Sequence, residues 1–297
     1  MIVVTGASGL LGSNISRTIA LSSSEIVGIY NNNFIESKDF ESIAIDLSDF
    51  TKTNELIRQL NPSHIIHCAA LTDVDQCELE PQRAWSINAD ASKNLSMLAD
   101  DVGCGFTYVS TDSVFDGNLG QYDEHDIPCP INNYARSKLA GERMVIQAYS
   151  KALIIRTNFF GTNHQIIPST GLANWVLTKL NARQAINGFR DVLFSPIFVE
   201  DLSELIINMI DVGVSGIYHV SGATQLSKYD FAVRLALKFG LPENLISPTS
   251  IDDSELAAPR PKNTTLSNNK IQEVLGKTMP ELDAGLNRFK VSVSLQP

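Results

Sequence analysis

Met1-Ile-Val-Val-Thr-Gly-Ala-Ser-Gly-Leu-Leu-Gly12 carries an apolar strand straight into glycines at 6, 9 and 12. Each glycine answers a separate steric demand. Gly6 permits the tight turn after the strand, Gly9 removes the Cβ that would hold a pyrophosphate off the backbone, and Gly12 lets the next helix pack on the sheet. That helix is expected to begin near residues 8–10, where unpaired N–H groups and the helix dipole favour negative charge. Leu10, Leu11, Ile15 and Ile19 follow at helical spacing. The glycines therefore stand between a strand and an amphipathic helix, the context a dinucleotide-binding turn requires. Gly6, Ser8, Gly9, Leu10, Leu11 and Gly12 are its candidate cofactor contacts.

Working outward, short β-branched runs at 2–5, 25–30, 42–45, 64–68, 105–110 and 152–156 alternate with helical patterns at 9–21, 49–60, 81–101 and 134–149. Continuous apolar strands with crossover helices suit a parallel sheet covered on both faces. The expected fold is α/β, a Rossmann-type doubly wound parallel sheet with a smaller C-terminal substrate lobe. Beyond about residue 157 the rhythm changes to helices near 171–181, 200–211, 227–239 and 268–275, parted by short strands and by loops rich in Pro, Asn and Ser. The expected division is 1–156 for the nucleotide-binding domain and 157–297 mainly for the lobe, with some segments returning to the sheet.

A chain of 297 residues with net charge −10 and no basic run is a poor partner for nucleic acid or an anionic membrane. No apolar stretch approaches a membrane span and no charged, apolar leader precedes Ile2, so a cytoplasmic location is expected. Cys68, Cys77, Cys104 and Cys129 form neither a CxxC pair nor a compact disulfide framework and read as reduced, with Cys68 in a buried strand. His64, His67, His125, His164 and His219 are scattered, and no metal site is assigned. The second strand ends Gly28-Ile-Tyr-Asn-Asn-Asn33, without the acid that holds a ribose 2′-hydroxyl and without an adjacent Arg for a 2′-phosphate. Tyr30 and Asn31 are the candidate contacts there, and Lys38 is the nearest cation. The cofactor reading leans to NADP(H), with NAD(H) also accommodated.

The chemistry lies in the middle of the chain. Tyr134-Ala-Arg-Ser-Lys138 sets a phenol and an ammonium one turn apart on one helix face. An adjacent Lys⁺ favours phenolate and draws a group of pKa ~10 toward acid/base use. Val109-Ser-Thr-Asp-Ser113 ends a strand, where Thr111 could orient a substrate carbonyl. Thr111, Tyr134 and Lys138 are the candidate catalytic residues.

The glycine turn, Ser110-Thr111 and the Tyr134/Lys138 pair resemble the extended short-chain dehydrogenase/reductase family. More narrowly, Ser110-Thr-Asp-Ser-Val-Phe-Asp-Gly117, then Tyr134-Ala-Arg-Ser-Lys-Leu-Ala-Gly-Glu142, Phe194-Ser-Pro-Ile-Phe-Val-Glu-Asp-Leu202, Arg260-Pro261 and Thr264-Thr-Leu-Ser267 are similar to its dTDP-4-dehydrorhamnose reductase group. The resemblance implies reduction of the C4 ketone of a nucleotide-linked 4-keto-6-deoxysugar: hydride from the nicotinamide, a proton from Tyr134, carbonyl positioning by Thr111, and ribose contact and tuning by Lys138. Ser113 stands where related 4,6-dehydratases carry Glu, which argues against dehydration. An epimerase uses the same Tyr, Lys and cofactor and stays open. So does a non-catalytic regulatory subunit resembling that of methionine adenosyltransferase.

The same resemblance implies that Asp46, with Leu47 beside it, meets the adenine, an Asp that would equally serve as a helix cap. It places Cys68, Ala69 and Ala70 against the cofactor, with Thr72, Asp73 and Val74 at the crevice rim, and Asn88 on the long helix as a family asparagine or a plain polar face residue. Asp112, Asn158, Phe159 and Trp175 are expected at the nucleotide-sugar side, with Arg183, Phe189 and Arg190 as further lobe residues. Phe159 occupies the place of a family aromatic that is often Trp and lacks the indole donor. The expected partner is a nucleotide-linked sugar, with a homodimer left open as the assembly.

Overall fold

The computed structural model describes residues 1–22, 24–33, 39–163 and 171–294. Its strands are β1 (Ile2–Thr5), β2 (Ile26–Tyr30), β3 (Glu41–Ala44), β4 (His64–His67), β5 (Gly105–Thr111), β6 (Leu153–Thr157), β7 (Phe159–Phe160), β8 (Ile186–Phe189), β9 (Leu193–Phe194), β10 (Ile197–Phe198), β11 (Gly216–His219), β12 (Leu226–Ser227) and β13 (Ile246–Thr249). The helices are α1 (Leu10–Leu21), α2 (Phe50–Leu60), α3 (Val74–Leu79), α4 (Pro81–Trp85), α5 (Ala91–Val102), α6 (Asn133–Ala148), α7 (Leu172–Asn181), α8 (Val199–Val212), α9 (Lys228–Phe239), α10 (Asn269–Leu275) and α11 (Leu282–Ser294).

Seven strands form one parallel sheet in the order β11-β6-β5-β4-β1-β2-β3. The order reverses between β1 and β4, and that switch point opens a crevice at the carboxyl ends of the strands. Alternation along each strand serves two buried faces. Val4, Ile66, Val109 and Ile155 join α1 and helices of the second half in one core, while Val3, Ile65, Tyr108 and Ile154 join Ile57, Leu95, Leu98 and Val145 in the other. This is the doubly wound arrangement that the apolar runs imply.

The second half contributes to both layers. β11 completes the sheet beside β6, and α8 packs on α1, so residues 199–219 cover the nucleotide-binding half. The strand pairs β7/β10, β8/β13 and β9/β12, with α7, α9 and α11, build the rest of the second half.

Three local readings differ from expectation. The single helix at 81–101 is broken: Pro81 opens α4, a π-helical turn spans Ser86–Asp90, and α5 follows. The rim at 74–79 is a helix, α3, because the Asp73 side chain accepts from Gln76 N at 2.9 Å as its N-cap. The unexpected α11 buries Leu282, Leu286 and Phe289 at helical spacing, and Gly285 lets it close on β10, since a Cβ there would lie 2.9 Å from Phe198 Cβ.

Candidate active site

The glycine turn is built by exclusion of side chains. Gly6 has φ +67°, and a Cβ on it would stand 2.7 Å from Ala69 N. On Gly12 a Cβ would stand 2.1 Å from Gly6 O, so only glycine lets α1 start this close to the turn. Gly9 is exposed at the mouth and donates its N–H to Gly6 O at 2.8 Å. No side chain caps α1 and no acid lies in its first turn, which leaves its leading N–H groups to an anion. Asn163 Nδ2 donates to Ser8 O at 2.8 Å and Asn14 Nδ2 to Thr162 O at 2.9 Å, tying the 161–163 segment to the turn. An uncapped helix start behind a Cβ-free backbone fits the pyrophosphate of a dinucleotide.

On the other side of the switch point, β5 and α6 bring Thr111, Tyr134 and Lys138 together. The Thr111 hydroxyl lies near enough to the Tyr134 phenol to act on its proton affinity. Asn132 caps α6, accepting from Ala135 N at 2.9 Å, and so fixes the turn that bears Tyr134. Lys138 is buried; its Nζ donates to Val109 O at 2.8 Å and stands 4.1 Å from the centre of the Tyr108 ring. Burial pulls this ammonium down to about 7, against an upward pull from Glu142. Burial likewise lifts the Tyr134 phenol above its ordinary range, Thr111 opposing and the Asp112 charge adding to the rise. The expected drop of the Tyr134 pKa beside Lys138 is thus not met, because desolvation outweighs every charge near it. A phenol raised in this way is protonated at neutral pH, the state a proton donor needs.

Behind these residues lies a buried ionic network. Register sets Ser110 beside Arg156 and Arg156 beside His219, across β5, β6 and β11. Arg156 grips Glu142 through both carboxylate oxygens, the shortest contact being 2.7 Å, and Ser110 Oγ donates to the same carboxylate at 2.5 Å. His219 Nε2 lies 3.4 Å from Arg156, and its other ring nitrogen lies 3.0 Å from Tyr122 O. Burial, then the Arg156 charge, pulls His219 down to about 3. Glu142 follows Lys138 by four residues as Lys138 follows Tyr134, so one helix face carries all three. That spacing was the signal available for Glu142; nothing local marks His219 as its neighbour.

A second network holds the switch point. Thr5 Oγ1 lies 2.6 Å from His67 Nδ1, and His67 Nε2 lies 2.9 Å from Ser92 Oγ. Burial, with Lys138 adding, pulls His67 down to about 3. Asn88, on the π-helical turn, accepts from Leu71 N at 2.8 Å and donates to Ser137 Oγ at 2.9 Å, joining the crevice rim to α6. It is fully buried and so is neither a surface residue nor turned to the crevice.

The other expected residues are distributed as follows. Cys68, Ala69 and Ala70 are half-buried beside Gly6, and burial pushes the Cys68 thiol up to about 12. Tyr30 is buried on Ala7 and Phe40 with Asn31 exposed beyond it, while Lys38 and His164 lie outside the described residues. Asp46 does not cap α2: it accepts from Ser48 N at 2.9 Å in a local turn, and Asp49 is the cap, accepting from Lys52 N. Leu47 is half-buried, Thr72 is exposed, and Val74 opens α3.

Asp112 is turned inward. Its carboxylate accepts from Asn158 at 2.9 Å, Thr264 at 2.7 Å, and Thr111 and Ser113 at 3.2 Å. The Asn158 amide thus gives one of its two N–H donors to Asp112, and Phe159 pairs with Ile197 in β7/β10. Trp175 is 44% exposed on α7, Arg183 and Arg190 are exposed and Phe189 is half-buried. The two resembling stretches 110–117 and 260–267 meet in space: Asn263 N donates to Gly117 O at 3.0 Å, and Tyr122 N to Thr265 O at 3.0 Å. Among the described residues no group of three His, Cys, Asp or Glu side chains could hold a metal ion, and no helix is long and apolar enough to cross a membrane.

Strand order, glycine turn and the Tyr134/Lys138 helix define an extended short-chain dehydrogenase/reductase. The chain belongs to the RmlD substrate-binding domain family, whose model matches residues 1–294. It is 33% identical over 295 residues to the probable low-salt glycan biosynthesis reductase Agl14 of Haloferax volcanii, covering 98% of this chain and 97% of that protein. It is 32% identical to the methionine adenosyltransferase 2 subunit beta of Xenopus laevis, over 94% of this chain and 84% of that one. The crystal structure of a dTDP-4-dehydrorhamnose reductase from Bacillus anthracis in complex with NADP superposes with a TM-score of 0.87 at 30% identity, covering 98% of each chain.

Proposed function

We propose that this chain reduces the C4 ketone of a nucleotide-linked 4-keto-6-deoxysugar, dTDP-4-dehydrorhamnose being the leading substrate, with NADPH favoured over NADH. The observation that carries the reading is the grouping of Thr111, Tyr134 and Lys138 at the carboxyl end of β5, across the switch point from an uncapped glycine turn. The reductase relatives, one of them in complex with NADP, support the same class of reaction.

A nicotinamide cofactor bound along the turn supplies the hydride for the ketone carbon. Gly6, Gly9 and Gly12 would receive its pyrophosphate, with Ser8, Leu10 and Leu11 beside them, and Cys68, Ala69 and Ala70 would line its path. Thr111 orients the substrate carbonyl, and Tyr134, held protonated by burial, gives its proton to the carbonyl oxygen as negative charge develops there. Lys138, anchored on Val109 O, holds the ribose and supplies positive charge when the phenolate forms. Asp112 keeps Thr111 in place from behind.

The purified protein, given NADPH or NADH with a panel of nucleotide-linked 4-ketosugars, should oxidise cofactor in step with a two-hydrogen mass gain of the sugar. An altered sugar configuration without net oxidation would replace the reading by epimerisation. The likeness to the methionine adenosyltransferase subunit favours one other reading, a regulatory partner of that enzyme. It requires tight association with the synthetase and no ketosugar turnover.

A further inference from the structure

Lys228 opens α9 immediately after β12, whose Leu226 and Ser227 pair with Phe194 and Leu193 of β9. Its N–H donates to Val192 O at 2.9 Å, which fixes the residue against β9, and its half-buried side chain sets the ammonium 3.2 Å from the centre of the Phe194 ring. The same strand leads to the catalytic end of β5: Thr264 N donates to Leu193 O at 3.0 Å, and Thr264 Oγ1 bonds Asp112, next to Thr111. The Asp112 charge acts on the ammonium, yet that carboxylate is already saturated by Thr111, Ser113, Asn158 and Thr264. Two cations of the stretch that carries Thr264 are already paired, Arg260 with Asp75 at 3.0 Å and Lys262 with Asp252 at 2.6 Å. Among the described residues no carboxylate comes within ion-pair distance of Lys228.

A desolvated ammonium resting on an aromatic face and a remote charge is held in its costly form, and burial draws it down to about 8. An incoming anion would relieve that cost, and with Phe194 excluding water the attraction is stronger than at an open surface. We infer that Lys228 binds the diphosphate of the nucleotide-linked substrate, an inference that rests on the function proposed above. The cofactor's own diphosphate has its place at the glycine turn on the other side of the switch point. A lysine suits phosphate as a compact point charge with rotatable donors.

The test titrates the full chain, saturated with NADP⁺, with dTDP, UDP and GDP and with the matching nucleosides. One diphosphate should bind the native protein at least about tenfold more tightly than its nucleoside. Lys228→Met should weaken that diphosphate about 10- to 100-fold while leaving nucleoside and NADP⁺ affinities unmoved, and Lys228→Arg should restore part of the loss. Lys228→Gln serves where the Met variant melts early. Unchanged diphosphate affinity in folded variants overturns the inference alone, and so does an equal loss toward NADP⁺. Failure of the native protein to bind any nucleoside diphosphate overturns the substrate reading and the inference with it.

Discussion

The two sides of the switch point are built on opposite plans. On the β1 side the surface is backbone: Gly6, Gly9 and Gly12 remove side chains, and the leading N–H groups of α1 provide the polarity. On the β5 side the surface is side chains, and the candidate groups lean on buried partners, Thr111 on Asp112, and Lys138 on Val109 O with Glu142 and Arg156 behind it. A backbone cradle tolerates no added atom, whereas a side-chain network tolerates no removed one. The first fails by clash and the second by uncompensated charge.

That contrast can be broken most sharply at Tyr134. Tyr134→Phe should lower turnover roughly 10²- to 10⁴-fold while leaving NADPH affinity nearly where it was; equal rates in both proteins would remove the phenol from the mechanism. Next comes the ionic network. Glu142→Ala strands Arg156, 2% exposed, and should cost about 3–5 kcal/mol in urea unfolding. A loss below about 1 kcal/mol would mean that water enters and replaces the carboxylate.

The cradle is probed by Gly12→Ala, which must shift Gly6 or α1. It should cost about 1–3 kcal/mol and shrink the thermal upshift that NADPH gives, a differential that the melting curves read directly. Asn132→Ala removes the α6 cap and the donor to Pro259 O, and about 1–2 kcal/mol should go with it, visible in the same urea experiment.

The smallest effect at neutral pH becomes visible in acid. His67 and His219 stay neutral in the folded protein down to about pH 3, whereas the unfolded chain protonates them below about 6.5. Stability is therefore full above pH 6.5 and is lost as pH falls toward 3, by at most about 1.4 kcal/mol per pH unit for each histidine. His67→Gln should flatten that slope, and a slope equal to that of the native protein would exclude His67 as its source.

Legibility followed the same division. The glycine turn declares itself because its reasons are steric and confined to seven residues, Gly6 to Gly12. The sheet was readable because both its faces are buried, which leaves unbroken apolar runs. Tyr134 and Lys138 were readable from one helical turn. Asp46 was misplaced by three residues as a cap, since Ser48 and Asp49 offer equally good local chemistry and only the backbone path chooses. Asp112 was legible as a strand-end acid but not as an inward one: its partners Asn158 and Thr264 arrive from 46 and 152 residues away. His219 follows the same rule, because a buried network recruits members by register across strands and leaves no mark beside any of them. The break at Ser86–Asp90 escaped because a π-helical turn keeps helical composition and is justified only by where it sends Asn88.

The seventh strand has a bearing on how the molecule is made. β11 pairs with β6 across an excursion of about sixty residues, and it brings the histidine that completes the Arg156 network. A ribosome that has released only the first 157 residues has delivered the glycine turn and Tyr134, but β6 still shows a bare hydrogen-bonding edge, a template for self-association. Long-range pairing of this kind is slow to form. The network behind Lys138 therefore closes only when residues 216–219 arrive, long after the strand that carries Arg156.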